Sequence, residues 1–465
     1  MTRKITVIFF KIVVLVFGFS LVLFADGLRR SPQNYVGFII REVFAVLQDS
    51  ETQWAIFLCL GINFATFCYL GFRNSASFWR TSNPNMWLVF MMQMNVLSYV
   101  ISYSSSIPAI ILIGGAALGQ GVMVWTLYNT KSFSLLPPTV LVILFSFASV
   151  WQVPNRFFTY HNHTRWTGPW DNPNTFGLLM GTSAIIALGL GISSWLMANI
   201  KSEIGVTCWK IGVVERTTVG IRRLGLSRCA FLCLCLVSVV LMGRGLLYSY
   251  SRGAWLGTVC GLMYLFGFKL QSIMFSSNGS WNYWLWKNRL QLCVILASVC
   301  TLSFWHFRET GWQPAHRVLS AVNPVDFSWR NRVAAWEGAL QITAVHPWTG
   351  AGWERPELLY EQYYLSPKID ENAAIEMNDY LMLGATLGIP ALFCFGICLW
   401  QSLTHPLETI LQPIVEGSVE EITDWIGIAC RAGTIVLLVG FWFDGGMFKL
   451  PTAATFWILL ELGAL

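Results

Sequence analysis

Long apolar stretches recur along this 465-residue chain and are separated by shorter polar segments. A helix needs about 20 apolar residues to cross roughly 30 Å of hydrocarbon, and the recurring stretches have about that length. The pattern therefore predicts an all-α, polytopic membrane protein with about twelve transmembrane helices. The predicted spans are residues 5–25, 54–71, 86–104, 107–127, 134–151, 175–199, 229–249, 254–275, 290–306, 380–401, 425–442 and 449–465.

One polar run interrupts this pattern between the ninth and tenth predicted spans. It covers residues 307–379 and is rich in tryptophan and tyrosine, which disordered segments lack, so it predicts a folded loop. Its apolar spacing predicts a helix over 328–345, a turn at 350–352 and a second helix over 356–364. The residues that set the spacing of the first helix are Val333, Trp336, Leu340 and Ile342.

The composition excludes a soluble protein, because 55% of the residues are hydrophobic and only 12% are charged. A soluble domain carries about 25% charged residues. Lysine and arginine collect in the segment 201–228, which the positive-inside rule predicts to be a basic cytoplasmic loop. Alternating the spans from there places both termini in the cytoplasm and residues 307–379 outside. We expect one membrane domain, 1–465, surrounded by membrane lipids. The net charge of +6 reflects the excess of lysine and arginine in the predicted cytoplasmic segments and does not indicate a nucleic-acid partner.

The cysteine pattern does not indicate a metal site. All twelve cysteines fall in predicted spans or in the segment 201–228, and no Cys-x-x-Cys or mixed Cys/His spacing of a metal site is present. We therefore expect no metal, and we expect no other cofactor.

Five arginines are candidates for binding an anion at the outer face. A guanidinium presents a planar fork of donors that matches phosphate, and it stays charged when partly buried. Arg244 lies inside an apolar span, four residues before Tyr248 and eight before Arg252, so the three share one helix stripe. Pairing with lipid phosphates or nearby carboxylates is the alternative for any single arginine. The five candidates are Arg165, Arg244, Arg252, Arg330 and Arg332.

The order of these polar clusters resembles the O-antigen ligase and O-antigen polymerase family of bacterial membrane glycosyltransferases. The matching pieces are residues 165–174, 251–253, 346–352 and 378–381, together with the long outer loop between spans nine and ten. The motif residues outside the charged set are Asn174, Ser251, Gly350, Gly352 and Asn378.

The resemblance implies a GT-C-like helical enzyme of the bacterial inner membrane, whose long loop is periplasmic. Such an enzyme takes glycan from an undecaprenyl-diphosphate-linked donor and passes it to a glycan or lipid acceptor, with partners in polysaccharide export. The resemblance also implies that arginines hold the diphosphate, that a histidine just before the Asn-Asp-Tyr step activates the acceptor hydroxyl, and that no metal takes part.

This chain departs from the family pattern at the histidine, because Met377 precedes Asn378. Another group could accept the proton, with Glu376 as the first choice and Glu371, Asp379 and His346 as the others. The acceptor hydroxyl could also attack with little help from a base, since electrostatic stabilisation often outweighs the base's contribution of roughly 10²–10⁴-fold. The third reading is a non-catalytic protein that binds lipid-linked glycan or assists its export.

Overall fold

The computed structural model describes residues 136–150, 159–160, 163–170, 172–203, 228–275, 327–352, 359–364, 378–404, 420–443 and 445–464. Within these ranges the regular structure is helical, apart from one antiparallel pair of two-residue strands. The strands are β1 (Thr159–Tyr160) and β2 (His163–Thr164). The predicted all-α class is confirmed there. The predicted spans 5–25, 54–71, 86–104, 107–127 and 290–306 lie outside the described residues, so the total of twelve stays a prediction.

Nine α-helices are described, and seven of the predicted spans fall on them. The first four helices are α1 (Leu136–Val150), α2 (Pro173–Glu203), α3 (Arg228–Tyr248) and α4 (Arg252–Phe275). The other five are α5 (Phe327–Val345), α6 (Asp379–Leu387), α7 (Ile389–Thr404), α8 (Glu420–Phe443) and α9 (Leu450–Ala464). Helix α5 confirms the helix predicted over residues 328–345.

Several helices have the length and apolar character of membrane spans. Within the described ranges, Pro173–Ser194, Ala230–Tyr248 and Trp425–Phe443 are long and apolar enough to cross a bilayer. Shorter apolar helices occupy Pro137–Val150, Ile389–Thr404 and Leu450–Gly463. By length and composition, these helices are compatible with membrane spans.

The predicted span 380–401 is not one helix, which corrects the sequence prediction. It divides at Gly388, whose φ of 84° lies in the left-handed region that favours glycine. The Gly388 amide donates to the Gly384 carbonyl 2.8 Å away and ends α6, and α7 begins at the next residue with Pro390 in its first turn. Proline is tolerated there because the first amides of a helix have no partner within it.

The described residues fall into two compact units, which are treated separately below. Residues within 135–326 and 413–439 form the first unit, and residues within 327–412 and 440–465 form the second.

Small residues allow the helices of the first unit to pack closely. A Cβ added at Gly257 would stand 2.6 Å from the Val436 carbonyl oxygen, and one at Gly261 would stand 2.8 Å from the Ala432 carbonyl oxygen. Gly257 and Gly261 have the small-xxx-small spacing that brings helix backbones together in membranes. Helix α4 thus packs on α8 through its glycines.

The second unit has a core of small side chains around Tyr360, a buried tyrosine in a short π-helical turn, Tyr360–Tyr364. The cluster combines α5, this turn and α6, and its members are Ala335, Ala339, Ile342, Ala351, Tyr360, Met382 and Ala385. Burial raises the pKa of Tyr360 above its ordinary value. The buried face of α5 is therefore mainly alanine, whereas Val333 and Leu340, which helped to predict the helix, are exposed.

Candidate functional site

A sharp corner joins α3 to α4 in the first unit. Tyr250 adopts a φ of 50°, which is uncommon for a residue with a side chain, and Ser251 then caps α4 by accepting a hydrogen bond from the Ala254 amide at 3.3 Å. At the end of α3, the Ser249 hydroxyl donates a hydrogen bond to the Leu246 carbonyl. Arg252 consequently stands as the first residue of α4, half-buried.

Arg165 ties this corner to the start of α2. Its Nε donates to the Ser249 carbonyl at 2.8 Å, and its Nη2 donates to the side-chain oxygen of Asn174 at 2.7 Å. Helix α2 begins nearby because the Asn172 side chain accepts from the amides of Asn174 and Thr175. One guanidinium therefore brings the first turn of α2 to the corner before α4.

Arg244 lies against two aromatic rings at the same corner. Its guanidinium carbon is 5.4 Å from the Trp166 ring centroid and 5.5 Å from the Tyr248 ring centroid. The two rings stack with centroids 4.3 Å apart, and the Trp166 amide donates to the Tyr248 carbonyl at 3.0 Å. Arg165, Arg244 and Arg252 thus all lie at the corner, together with the motif residues Asn174 and Ser251.

In the second unit, Arg332 binds the end of a helix. Its Nε donates to the carbonyl of Phe443, the last residue of α8, at 3.0 Å. A cation at this position also interacts favourably with the partial negative charge of a helix C-terminus. Arg330 lies on the same helix, α5, but its side chain is outside the described part of the chain, so its predicted role stays a prediction.

Asn378 and Asp379 organise the start of α6. The Asn378 side-chain oxygen accepts from the amides of Tyr380 and Leu381, both at 3.1 Å, which makes it the N-cap. Asp379 is almost fully buried, and its Oδ2 accepts from the amides of Gly446 at 2.5 Å and Met447 at 2.7 Å. The carboxylate therefore holds the connection between α8 and α9 against the start of α6.

The turn after α5 packs against the break between α6 and α7. The amide of Ala351 donates to the Ala385 carbonyl at 2.8 Å, and the amide of Gly352 donates to the Thr386 carbonyl at 3.1 Å. Gly350 has a φ of 65°, and a Cβ there would stand 2.2 Å from the Thr386 carbonyl oxygen. Gly350 is therefore needed for this close backbone contact, and Gly352 has a φ of 92°, which favours glycine.

The candidate proton acceptors have different surroundings. His346 is exposed at the end of α5, where its carbonyl accepts from the Gly350 amide at 3.0 Å. Asp379 is buried, and its Oδ2 already accepts hydrogen bonds from two backbone amides. Glu376 lies outside the described residues, as does Met377, so the first-choice base stays a prediction.

Sequence reasoning did not find the main-chain partners of these side chains. Arg165 binds the Ser249 carbonyl, and Arg332 binds the Phe443 carbonyl. Asp379 binds the amides of Gly446 and Met447. Backbone carbonyls and amides occur along the whole chain, so the sequence does not indicate which of them will be partners. Within the described residues, no group of three or more His, Cys, Asp or Glu side chains lies together as metal ligands.

These features define a helical protein with apolar helices compatible with membrane spans, in which arginines and helix N-termini lie at the corner between α3 and α4. A family model described as O-Antigen ligase matches residues 237–396. This segment includes Arg244, Ser251, Arg252, Asn378 and Asp379, and the predicted resemblance to the O-antigen ligase family is confirmed over it. Comparison with curated proteins gives no match. Arg165 and Asn174 lie outside the matched residues.

Proposed function

We propose that this protein is a glycosyltransferase of the bacterial inner membrane that transfers or polymerises glycan from an undecaprenyl-diphosphate-linked donor at the periplasmic face. The observation that carries the proposal is the collection of Arg165, Arg244 and Arg252 at the corner between α3 and α4, mostly inside the family match. Arginine forks and helix N-termini both favour phosphate oxygens. The diphosphate binds at this corner.

Exposed apolar residues on α3 and α4, next to Arg244 and Arg252, favour a donor that carries a lipid chain. Arg244 follows exposed Val240 by one helical turn on α3, and Arg252 precedes exposed Leu256 by one turn on α4. The exposed apolar residues that continue these rows are Leu236, Val237, Val259 and Met263. The polyprenyl chain runs along such a surface while its diphosphate reaches the arginines at the end.

The arginines stabilise the charge that develops during transfer. The acceptor hydroxyl oxygen attacks the anomeric carbon of the donor sugar, and the bond from that carbon to the diphosphate oxygen breaks. The electron pair leaves with the polyprenyl diphosphate, where fixed cations stabilise it. These cations take the place that a divalent metal has in other phosphate sites, so we expect transfer to continue in EDTA.

The acceptor proton goes to Glu376, which precedes α6 in the sequence, or to His346, which follows α5. Glu376 is the first choice, and exposed His346 is the second. Asp379 is a positioning residue in this mechanism, because its Oδ2 is already occupied by the Gly446 and Met447 amides. Whether the product is a ligated or a polymerised glycan depends on the acceptor.

The test uses purified protein in liposomes with a polyprenyl-diphosphate oligosaccharide and candidate acceptors. Free polyprenyl diphosphate release and donor binding are followed together for the parent and for Arg252→Ala. Loss of a charged hydrogen-bond partner costs about 1.5–3 kcal/mol, so release at low donor concentration falls roughly tenfold or more. Arg222→Ala, in the predicted cytoplasmic loop, is the control and keeps the parent rate.

Two outcomes would contradict the proposal. Unchanged release in Arg252→Ala would remove Arg252 from the diphosphate site. Donor binding without release, across every acceptor tried, would favour the non-catalytic glycan-lipid binding protein instead.

A further inference from the structure

The C-terminal part of α5 and the turn after it carry large apolar side chains that are exposed among the described residues. Leu340 and Val345 are both more than half exposed, and Trp348 is 76% exposed. We call these three residues the α5 tip. A tryptophan this exposed is unusual in water, because its ring favours an apolar neighbour and its indole N–H favours a polar one.

Helix α7 carries a second uncovered apolar row. Phe393 is 66% exposed and Trp400 is 70% exposed, and both lie on the same face as Ile389, which is half exposed. The helix contains no charged residue from Ile389 to Thr404. In a membrane protein such a row faces lipid, since hydrocarbon is the environment that large apolar side chains on an uncharged helix require.

The α5 tip adjoins the first residue of this row. The Ile389 amide donates to the Pro347 carbonyl at 2.8 Å, and a Cβ added at Gly388 would stand 2.7 Å from the Trp348 carbonyl oxygen. The backbone of Trp348 is therefore fixed where the lipid-facing row of α7 starts. Tryptophan is enriched at that depth of a membrane protein, the boundary between hydrocarbon and head groups.

We propose that the α5 tip inserts into the bilayer interface and anchors the turn 346–352 to lipid. The occupant of this exposed surface is the bilayer itself, because the surface continues the lipid-facing row of α7. The anchor fixes the depth of the turn that carries His346 and Gly350. The proposal depends on the membrane location of the chain and not on glycosyl transfer.

Photocrosslinking tests the anchor directly. The photoreactive residue p-benzoylphenylalanine is incorporated at Trp348, at Phe393 or at Glu337, and each protein is placed in nanodiscs of phosphatidylethanolamine and phosphatidylglycerol. Phe393 is the lipid-facing reference, and Glu337 is an exposed position on α5 three residues before Leu340. After irradiation, mass spectrometry measures the phospholipid adduct at each position.

We expect adduct at Trp348 at a level comparable with Phe393 and several-fold above Glu337. Adduct at Trp348 no higher than at Glu337, while Phe393 is labelled, would overturn the proposal. A crosslink from Trp348 to protein instead of lipid, or absence of lipid adduct at Phe393, would overturn it too. If the Trp348 protein does not insert, the same comparison is made at Val345.

Discussion

The guanidinium of Arg244 lies over the ring of Trp166, with 5.4 Å between the guanidinium carbon and the ring centroid. Trp166 in turn stacks on Tyr248, one helical turn from Arg244 on α3. An aromatic face attracts a cation by about 0.5–2 kcal/mol. The aromatic pair therefore contributes to fixing the position of the Arg244 side chain at the corner.

The first prediction concerns this restraint. Trp166→Ala removes one of the two rings beside Arg244, so the guanidinium is held less firmly and binds the lipid-linked donor less well. A loss of about 1 kcal/mol corresponds to a rise in KM of roughly fivefold, with little change in kcat. Donor-dependent release of polyprenyl diphosphate in liposomes measures both quantities.

The matched control for the first prediction is Trp166→Phe, which keeps an aromatic face and should stay close to the parent. A fall in kcat with unchanged KM in Trp166→Ala would contradict the prediction. So would equal damage from phenylalanine and alanine.

The helices were predictable because each needs only a local apolar stretch. Helices α3 and α4 lie within a few residues of the predicted spans 229–249 and 254–275. The break at Gly388 was not predicted, because residues 380–401 are mostly apolar and their three glycines and one proline are common in membrane spans. The cause of the break is a tertiary contact with the turn 346–352, which local hydropathy does not encode.

The candidate site was predictable only as a set of side chains. Arg165 and Asp379 were selected for their chemistry, but their main-chain partners lie 84 and 67 residues away in sequence. A backbone carbonyl or amide carries no residue-specific signal, and only the folded chain brings it near. For Asp379 these partners favour a positioning role, and its role as proton acceptor stays a prediction.

The second prediction tests the close contact at the break. Gly388→Ala forces a φ of 84° on a residue with a Cβ and places that Cβ 2.7 Å from the Trp348 carbonyl oxygen. Strain of this kind costs about 1–3 kcal/mol, so the apparent Tm in detergent falls. Gly396→Ala on α7 is the control, because nothing lies within 4 Å of its added Cβ. Equal Tm values for the two variants would contradict the close contact.

The third prediction tests the glycine packing of α4. Gly261→Ala places a Cβ 2.6 Å from the Ile185 side chain and 2.8 Å from the Ala432 carbonyl oxygen, so the helices must separate. Overpacking in a well-packed interior costs about 1–3 kcal/mol. Gly267→Ala on the same helix meets nothing within 4 Å and should keep the parent Tm. If both variants unfold at the parent temperature, α4 does not depend on this contact.

The fourth prediction separates an anchoring role of Asp379 from a catalytic one. Asp379→Ala leaves the buried amides of Gly446 and Met447 without their acceptor, which costs about 1–3 kcal/mol for each unsatisfied group. Asp379→Asn keeps an oxygen that can accept both bonds, although bonds to a neutral oxygen are weaker than bonds to a carboxylate. The apparent Tm should therefore fall strongly in the alanine variant and slightly in the asparagine variant.

Activity decides between the two roles. An anchor needs the oxygen but not the charge, so Asp379→Asn should retain most of the transfer rate. A general base needs the carboxylate, and its loss would lower the rate by roughly 10²–10⁴-fold while the protein stays folded. Transfer rates and Tm values measured on the same preparations of the two variants distinguish these cases. A folded but inactive Asp379→Asn would restore Asp379 as the proton acceptor and displace Glu376.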